Sequence, residues 1–325
     1  MNLVTGGAGF IGRHLVRQLV DAQEPVRVLD LSSPVEGDLT GVEWHVGDIR
    51  DRSAVRRAVE GCRRVYHLAA NPNLWTRRRR DFDAVNHQGT VHVLREAVDA
   101  GCERVLHTST ESILTSRRFD GGAVEDLTLR REDMVGPYCL SKFQAEEAAM
   151  TLAREGAPVV IVNPTLPIGP GDYGLSPPTR MTVAACRGAL PAYLDCQFNM
   201  IDVRDIATGL RLAMEKALPG RRYLLGAHNV TLAEWLRMVG ERAGRKPPTR
   251  RVPYWLALGV AHASEWWADW ISGRMPQATI TGVKLTRYVM HFDPSRSLAE
   301  LALSPRPLAD SLKDAVCWYR RMGWI

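Results

Sequence analysis

Tyr138 and Lys142 are the two residues of this sequence best suited by type and spacing to move a proton. Four apart on a helix, they share one face. A free phenol titrates near pH 10. It serves as a base near neutrality only with help, and a neighbouring ammonium favours its ionised form. Tyr-x-x-x-Lys alone is common and usually marks a surface pair, so its meaning depends on what lies upstream. There, glycines 6, 9 and 12 stand in Thr5-Gly6-Gly7-Ala8-Gly9-Phe10-Ile11-Gly12, between a short apolar run and a helical pattern. A turn without β-carbons lets the backbone approach a pyrophosphate, and the helix start offers free N–H groups. Asp30, 18 residues past Gly12, ends the next apolar run. A carboxylate there accepts both ribose hydroxyls and repels a 2′-phosphate, which favours NAD over NADP.

These residues need a frame. Short runs rich in Val, Leu and Ile occur at Asn2–Thr5, Val26–Leu29, Val42–Val46, Val65–Leu68, Val105–Thr108 and Val159–Val162. Segments with helical spacing separate them, as at Ile11, Leu15 and Leu19 or Val91, Leu94 and Val98. The alternation predicts an α/β fold with a doubly wound parallel sheet of the Rossmann type. Arg27 points away from the cofactor side if its strand alternates, and Gly156 caps the helix that begins near Tyr138. Past residue 163, Pro and Gly cluster and the segments become mainly helical. We expect a cofactor domain over 1–162, with 198–227 returning to it, and a smaller, mainly helical substrate domain over 163–325.

The glycine spacing, Asp48 after the third strand and Tyr138-x-x-x-Lys142 together resemble the extended short-chain dehydrogenases of the NAD-dependent epimerase/dehydratase family. His67-Leu-Ala-Ala70, Asn86-His-Gln-Gly-Thr90 and Ile201-Asp-Val-Arg-Asp-Ile-Ala207 extend the likeness over nearly the whole chain. The resemblance implies that Asp48 and Ile49 flank an adenine, that Ala69 and Ala70 line the groove, and that Phe10, Ile11, Leu68, Asn86, Thr108 and Pro164 also border NAD. It implies Tyr138 as the proton carrier, Lys142 as its activator and ribose anchor, and Thr110 (Ser109 as fallback) bonded to the reacting oxygen. Asn86 reads as helping to hold the active-site backbone or, equally, as a buried structural amide. A homodimer through helices near Asp81–Ala100 and Tyr138–Arg154 is also implied.

Sugar 4,6-dehydratases follow the catalytic Thr with two acidic residues, whereas Glu111 here is followed by Ser112. Nucleotide-sugar epimerases carry an Asn, a Tyr and an Arg where this chain has Leu166, Ile168 and Phe198. A diphosphate needs donors or charge, which these side chains lack. Pro164-Thr-Leu-Pro-Ile-Gly-Pro170 is similar instead to the flavonoid reductases and 3β-hydroxysteroid dehydrogenases. The likeness also takes in a hopanoid-associated group labelled as sugar epimerases or dihydroflavonol-reductase-like. The expectation is oxidation of a secondary alcohol on a hydrophobic substrate (sterol, hopanoid, terpenoid or flavonoid-like). The rivals are a sugar epimerase with an internal redox cycle and a non-catalytic NAD-binding regulator.

With 325 residues, 45% of them hydrophobic, the chain can bury a sizeable core, and a net charge of +6 says little by itself. Six scattered cysteines without paired spacing indicate reduced thiols, no metal site and a cytoplasmic setting, contact with a membrane surface being left open. No spanning helix, signal peptide or nucleic-acid-binding pattern is expected. His45, His67 and His107 read as packed, hydrogen-bonded strand residues. The run Arg77–Arg80 reads as solvated surface, or else a contact for anionic lipid or phosphate. Pro253–Ile271 is helical in pattern and holds Trp255, Trp266, Trp267 and Trp270. Its plain expectation is a core helix. The sharper ones are a lid over an apolar substrate or an interfacial helix, with Glu265 and Asp269 favouring the lid.

Overall fold

The computed structural model describes residues 1–32, 41–115, 122, 124 and 127–325. The six apolar runs form β1 (Asn2–Thr5), β2 (Val26–Asp30), β3 (Val42–Val46), β4 (Arg64–His67), β5 (Arg104–Thr108) and β6 (Val159–Pro164). After them come β7 (Leu166–Ile168), β8 (Gln197–Asp202), β9 (Arg222–Leu225) and β10 (His228–Thr231). The main sheet has the order β3-β2-β1-β4-β5-β6-β9 and is parallel throughout. Strands covered on both faces must be apolar along their length, and β1 and β6 are buried at every residue. The chain reverses its direction of travel between β1 and β4, so a crevice forms beyond the carboxyl ends of these strands.

Helices cover the sheet. On it lie α1 (Phe10–Asp21), α2 (Arg52–Val59), and a continuous helical stretch made of α3 (Arg80–Phe82), a π-helical segment (Asp83–Gly89) and α4 (Thr90–Asp99). The long α5 (Gly136–Arg154) follows, and Gly156 ends it at φ +95° with its N–H bonded to the Ala153 carbonyl. Arg27 turns away from the crevice, bonding Glu43 and the carbonyls of Ala58 and Glu60.

The C-terminal part contains α6 (Pro177–Cys186), α7 (Val203–Lys216), α8 (Leu232–Ala243), α9 (Tyr254–Trp267), α10 (Ile280–Leu285), α11 (Ser295–Leu301) and α12 (Leu308–Arg321). Of these, α7 packs with α1 against the main sheet, through Ile206, Leu210 and Met214 beside Leu15 and Leu19. A second sheet, β10-β8-β7, forms the floor of the smaller helical subdomain. Its core joins Ile168, Phe198 and Met200 to Trp235, Leu312 and Tyr319.

Two expectations fail here. The tryptophan helix is not a core helix: Trp255, Trp266, Trp267 and Trp270 are each more than half exposed. His107 is packed, stacked 5.6 Å from His67, but neither of its ring nitrogens has a partner among the described residues. His67 does, bonding Thr5 and Thr90, and His45 meets Glu43 at the surface.

Candidate active site

The glycine turn is dictated by contact. At Gly6, φ is +74° and a Cβ would lie 2.7 Å from the Ala69 amide nitrogen. At Gly12 a Cβ would sit 2.1 Å from the Gly6 carbonyl oxygen, inside any allowed separation. The turn therefore closes only with hydrogen at both places, and α1 starts after Gly9 without a side-chain cap, its first N–H groups facing the crevice end of the sheet. Asp30 Oδ2 accepts the Ala8 N–H at 3.0 Å, which fixes the carboxylate beside this turn. Phe10 and Ile11 form the first turn of α1, and Leu68, Ala69 and Ala70 leave β4 next to it, with the Ala69 N–H reaching Thr5 Oγ1.

Asp48 is held by Arg50, whose guanidinium keeps its carboxyl below the usual range. Ile49 is buried against Gly89, where a Cβ would come within 2.7 Å of it. Pro164 ends β6, fully enclosed. Thr108 ends β5, and its hydroxyl, like that of Ser109, is buried without a partner among the described residues. Such orphaned groups next to a cradle too tight for β-carbons are what a bound dinucleotide would complete.

At the mouth of the sheet, α5 delivers Tyr138 and Lys142. Pro137 opens the helix, where its missing N–H costs nothing. One turn on, Lys142 is buried and donates from Nζ to the Thr108 carbonyl at 2.8 Å. Burial lowers its pKa to about 8, against the opposing charge of Glu146. Tyr138 is bonded to Thr110. Burial first, then the charge of Glu111, push its phenol well above the ordinary value, and Thr110 is the group that pulls it back. The lowering expected from Lys142 does not operate in this arrangement, because its ammonium is engaged at Thr108. It is Thr110 that meets Tyr138, and the Ser109 hydroxyl has no partner among the described residues.

Asn86 is fully buried behind the pair. Its Nδ2 donates to the Asn71 carbonyl and to Ser141 Oγ, and its Oδ1 accepts from the Asn71 N–H at 2.7 Å. Its amide thus joins the loop after β4 to α5.

Three features escaped the sequence. Glu111 is enclosed beside Thr110, whose hydroxyl donates to it at 3.0 Å, and burial raises its pKa to about 7. Glu146 binds Arg222 of β9 at 2.7 Å and Asn163 of β6 at 2.8 Å, and Asn163 also reaches the Thr110 carbonyl. The turn after β7 folds over α1, with His14 on the Pro170 carbonyl and Arg13 stacked 4.3 Å above Tyr173. Glu146 at one turn past Lys142 was the only available sign, since its partners lie far along the chain.

Comparison with known proteins agrees with this geometry. The sequence model of the NAD dependent epimerase/dehydratase family matches residues 2–226. The chain is 34% identical to a putative dihydroflavonol 4-reductase of Synechocystis sp., over 99% of this chain and 95% of that protein. It is 32% identical to sterol demethylase protein B of Methylococcus capsulatus, over 99% of each. DesIV, a dTDP-glucose 4,6-dehydratase of Streptomyces venezuelae solved with NAD bound, superposes at a TM-score of 0.78, 26% identical over 99% of this chain and 98% of that one. The protein is an NAD-dependent enzyme of oxidoreductase or epimerase type, and it belongs to the NAD dependent epimerase/dehydratase family.

Proposed function

We propose that the chain interconverts a secondary alcohol and a ketone on a hydrophobic substrate of the sterol, hopanoid, terpenoid or flavonoid-like kind, through Thr110, Tyr138 and Lys142. NAD, when bound, takes up or returns the hydride of the alcohol carbon. The glycine turn from Gly6 to Gly12 receives its pyrophosphate, Asp30 its adenosine ribose, and Thr108, with Lys142 beside it, its nicotinamide half. Thr110 donates to the substrate oxygen and aligns it with Tyr138, which removes the hydroxyl proton as the carbonyl forms. The buried ammonium of Lys142 is one turn away, so it can swing from Thr108 to the ribose and favour the phenolate once the crevice fills.

The observation that carries the hydrophobic substrate is the trio Leu166, Ile168 and Phe198. At the three positions where a nucleotide-sugar site supplies donors, this chain has apolar side chains packed with the core of the small subdomain. The two full-length relatives named above, a flavonol-type reductase and a sterol-processing protein, agree with that choice.

The second reading is a sugar epimerase, and the comparisons back it better than the first. The matched family is described by that chemistry, and the dehydratase DesIV shares the fold and the cofactor. Arg180 of α6 is a specific feature in its favour: half-buried, it donates to Asn73 across the crevice and would suit a diphosphate.

Mixing the enzyme with NAD and two substrate sets decides between them. Accumulating NADH with sterol, hopanoid or other terpenoid alcohols is the expected result. No net NADH and an inverted stereocentre on a nucleotide sugar would establish the epimerase instead. Tyr138→Phe should abolish turnover at least 100-fold (on the order expected for a lost acid–base group) while NAD still binds. Full activity in that variant would remove Tyr138 from the mechanism.

A further inference from the structure

The tryptophan helix has an outward face with no charge on it. Between Tyr254 and Ile271 the sequence carries two ionised side chains, Glu265 and Asp269. Both turn inward. Glu265 is buried, accepting from Arg79 at 2.9 Å and from the Ile280 N–H at 2.7 Å. Asp269 accepts from Arg79 at 3.1 Å and from Trp75 Nε1 at 3.0 Å. The two acids that argued against an interfacial helix are therefore the anchors that fasten it to the protein.

Apart from His262, what remains outside on α9 is apolar. Trp255 is 72% exposed, Val260 52%, Trp266 57%, Trp267 54%, Trp270 77% and Ile271 53%. At about 100° per residue, the exposed positions of α9 fall on one half of its circumference, with buried Ala261 and Glu265 on the other. So large an exposed apolar area is rare on a protein that meets only water. Tryptophan is the side chain that settles at a bilayer's polar boundary.

Cations bracket the face. Arg250 and Arg251 precede α9, and Arg274 follows the π-helical turn Ala268–Ser272 that continues it. Arg77 lies against that turn, within 3.5 Å of a Cβ built on Gly273. Of the basic run, Arg79 is turned inward while Arg77, Arg78 and Arg80 are exposed. Among the described residues no ion pair engages Arg77, Arg78, Arg250 or Arg274, whereas Arg251 meets Asp195.

We propose that this face docks the protein on an anionic lipid bilayer, α9 lying in the interface plane with its tryptophans at the boundary of headgroups and acyl chains and its flanking arginines on the headgroups. A substrate lid leaves part of the face unexplained. The cleft of about 410 Å³ beside the start of α5 is walled by Trp266 and Trp270 but not by Trp255 or Trp267. A second copy paired antiparallel on this helix would set arginines of one end against arginines of the other, a like-charge contact that disfavours the dimer. The docking surface stands whichever substrate the enzyme takes.

Sedimentation of the full chain with phosphatidylcholine vesicles, with and without about 30% phosphatidylglycerol, tests it; lipid composition and salt are the levers. The wild type should pellet with the anionic vesicles, and less so as salt rises. Trp255→Ser/Trp267→Ser should weaken binding about tenfold or more, leaving the NAD-induced rise in melting temperature unchanged as the sign of an intact fold. Arg77→Glu/Arg78→Glu should erase the preference for the anionic vesicles alone. Failure of the wild type to pellet, or equal pelleting of the tryptophan variant, would overturn the proposal. So would a dimer, seen by light scattering, that disappears in that variant while no vesicle binds.

Discussion

At the scale of the residue, Glu111 sets the terms on which Tyr138 can ionise. Its carboxyl titrates at about 7, raised by burial, and its charge then opposes a phenolate reached through Thr110. Glu111→Gln removes that charge at every pH. The acid limb of kcat/KM for alcohol oxidation should therefore move down by roughly one pH unit. An unmoved limb would mean that Glu111 and Tyr138 do not communicate. The same shift carries a stability consequence. A carboxyl whose pKa is raised on folding favours the protonated native state, so its contribution is full below the ordinary carboxylate pKa and is lost as pH rises through about 7. The melting temperature of the Gln variant should fall less between pH 5 and pH 8 than that of the wild type. Asp30 offers a separate test, because its carboxylate sits beside the glycine turn on the Ala8 N–H. Asp30→Ala should weaken NAD by about tenfold and NADP by less, as titration calorimetry with both nucleotides would show.

At the scale of the element, parallel strands such as β1 and β6 were legible because burial on two faces leaves a short apolar run. The glycine turn was legible for a similar reason. Gly12 cannot be anything larger when the Gly6 carbonyl stands 2.1 Å from where its Cβ would be. Gly12→Ala should therefore push α1 off the turn, costing about 1–3 kcal/mol for overpacking and most of the NAD affinity. A thermal melt with and without NAD separates the two effects, and an unperturbed variant would contradict the packing. The small sheet was not legible. Strand β7 has three residues around a proline and β10 four of mixed polarity, so no period could emerge. The tryptophan helix was misjudged as core because apolar residues on every face look alike in a sequence. Only its contacts reveal that two acids, not the tryptophans, point inward.

At the scale of the whole molecule, the returning strand β9 is tied to α5 by one buried charge network. Arg222 and Glu146 are almost wholly enclosed, and Arg222 also donates to the carbonyls of Val124 and Leu127. Glu146 passes the connection to Asn163, and Asn163 reaches the Thr110 carbonyl. These partners are separated by 17 to 98 positions in the chain, which is why no local pattern announced them. Removing one member leaves a charge in the interior without its counterpart. Arg222→Met should therefore destabilise the fold by about 3–5 kcal/mol, far beyond an exposed ion pair. Glu146→Leu alone should cost a similar amount for the same reason. In the double variant no uncompensated charge remains, so much of the loss should return. If the network also holds the backbone of Thr110, the double variant will regain stability without regaining turnover, since the apolar pair cannot keep Asn163 on the Thr110 carbonyl. Denaturant melts and kcat across the four proteins distinguish this from simple packing, in which stability and turnover would recover together.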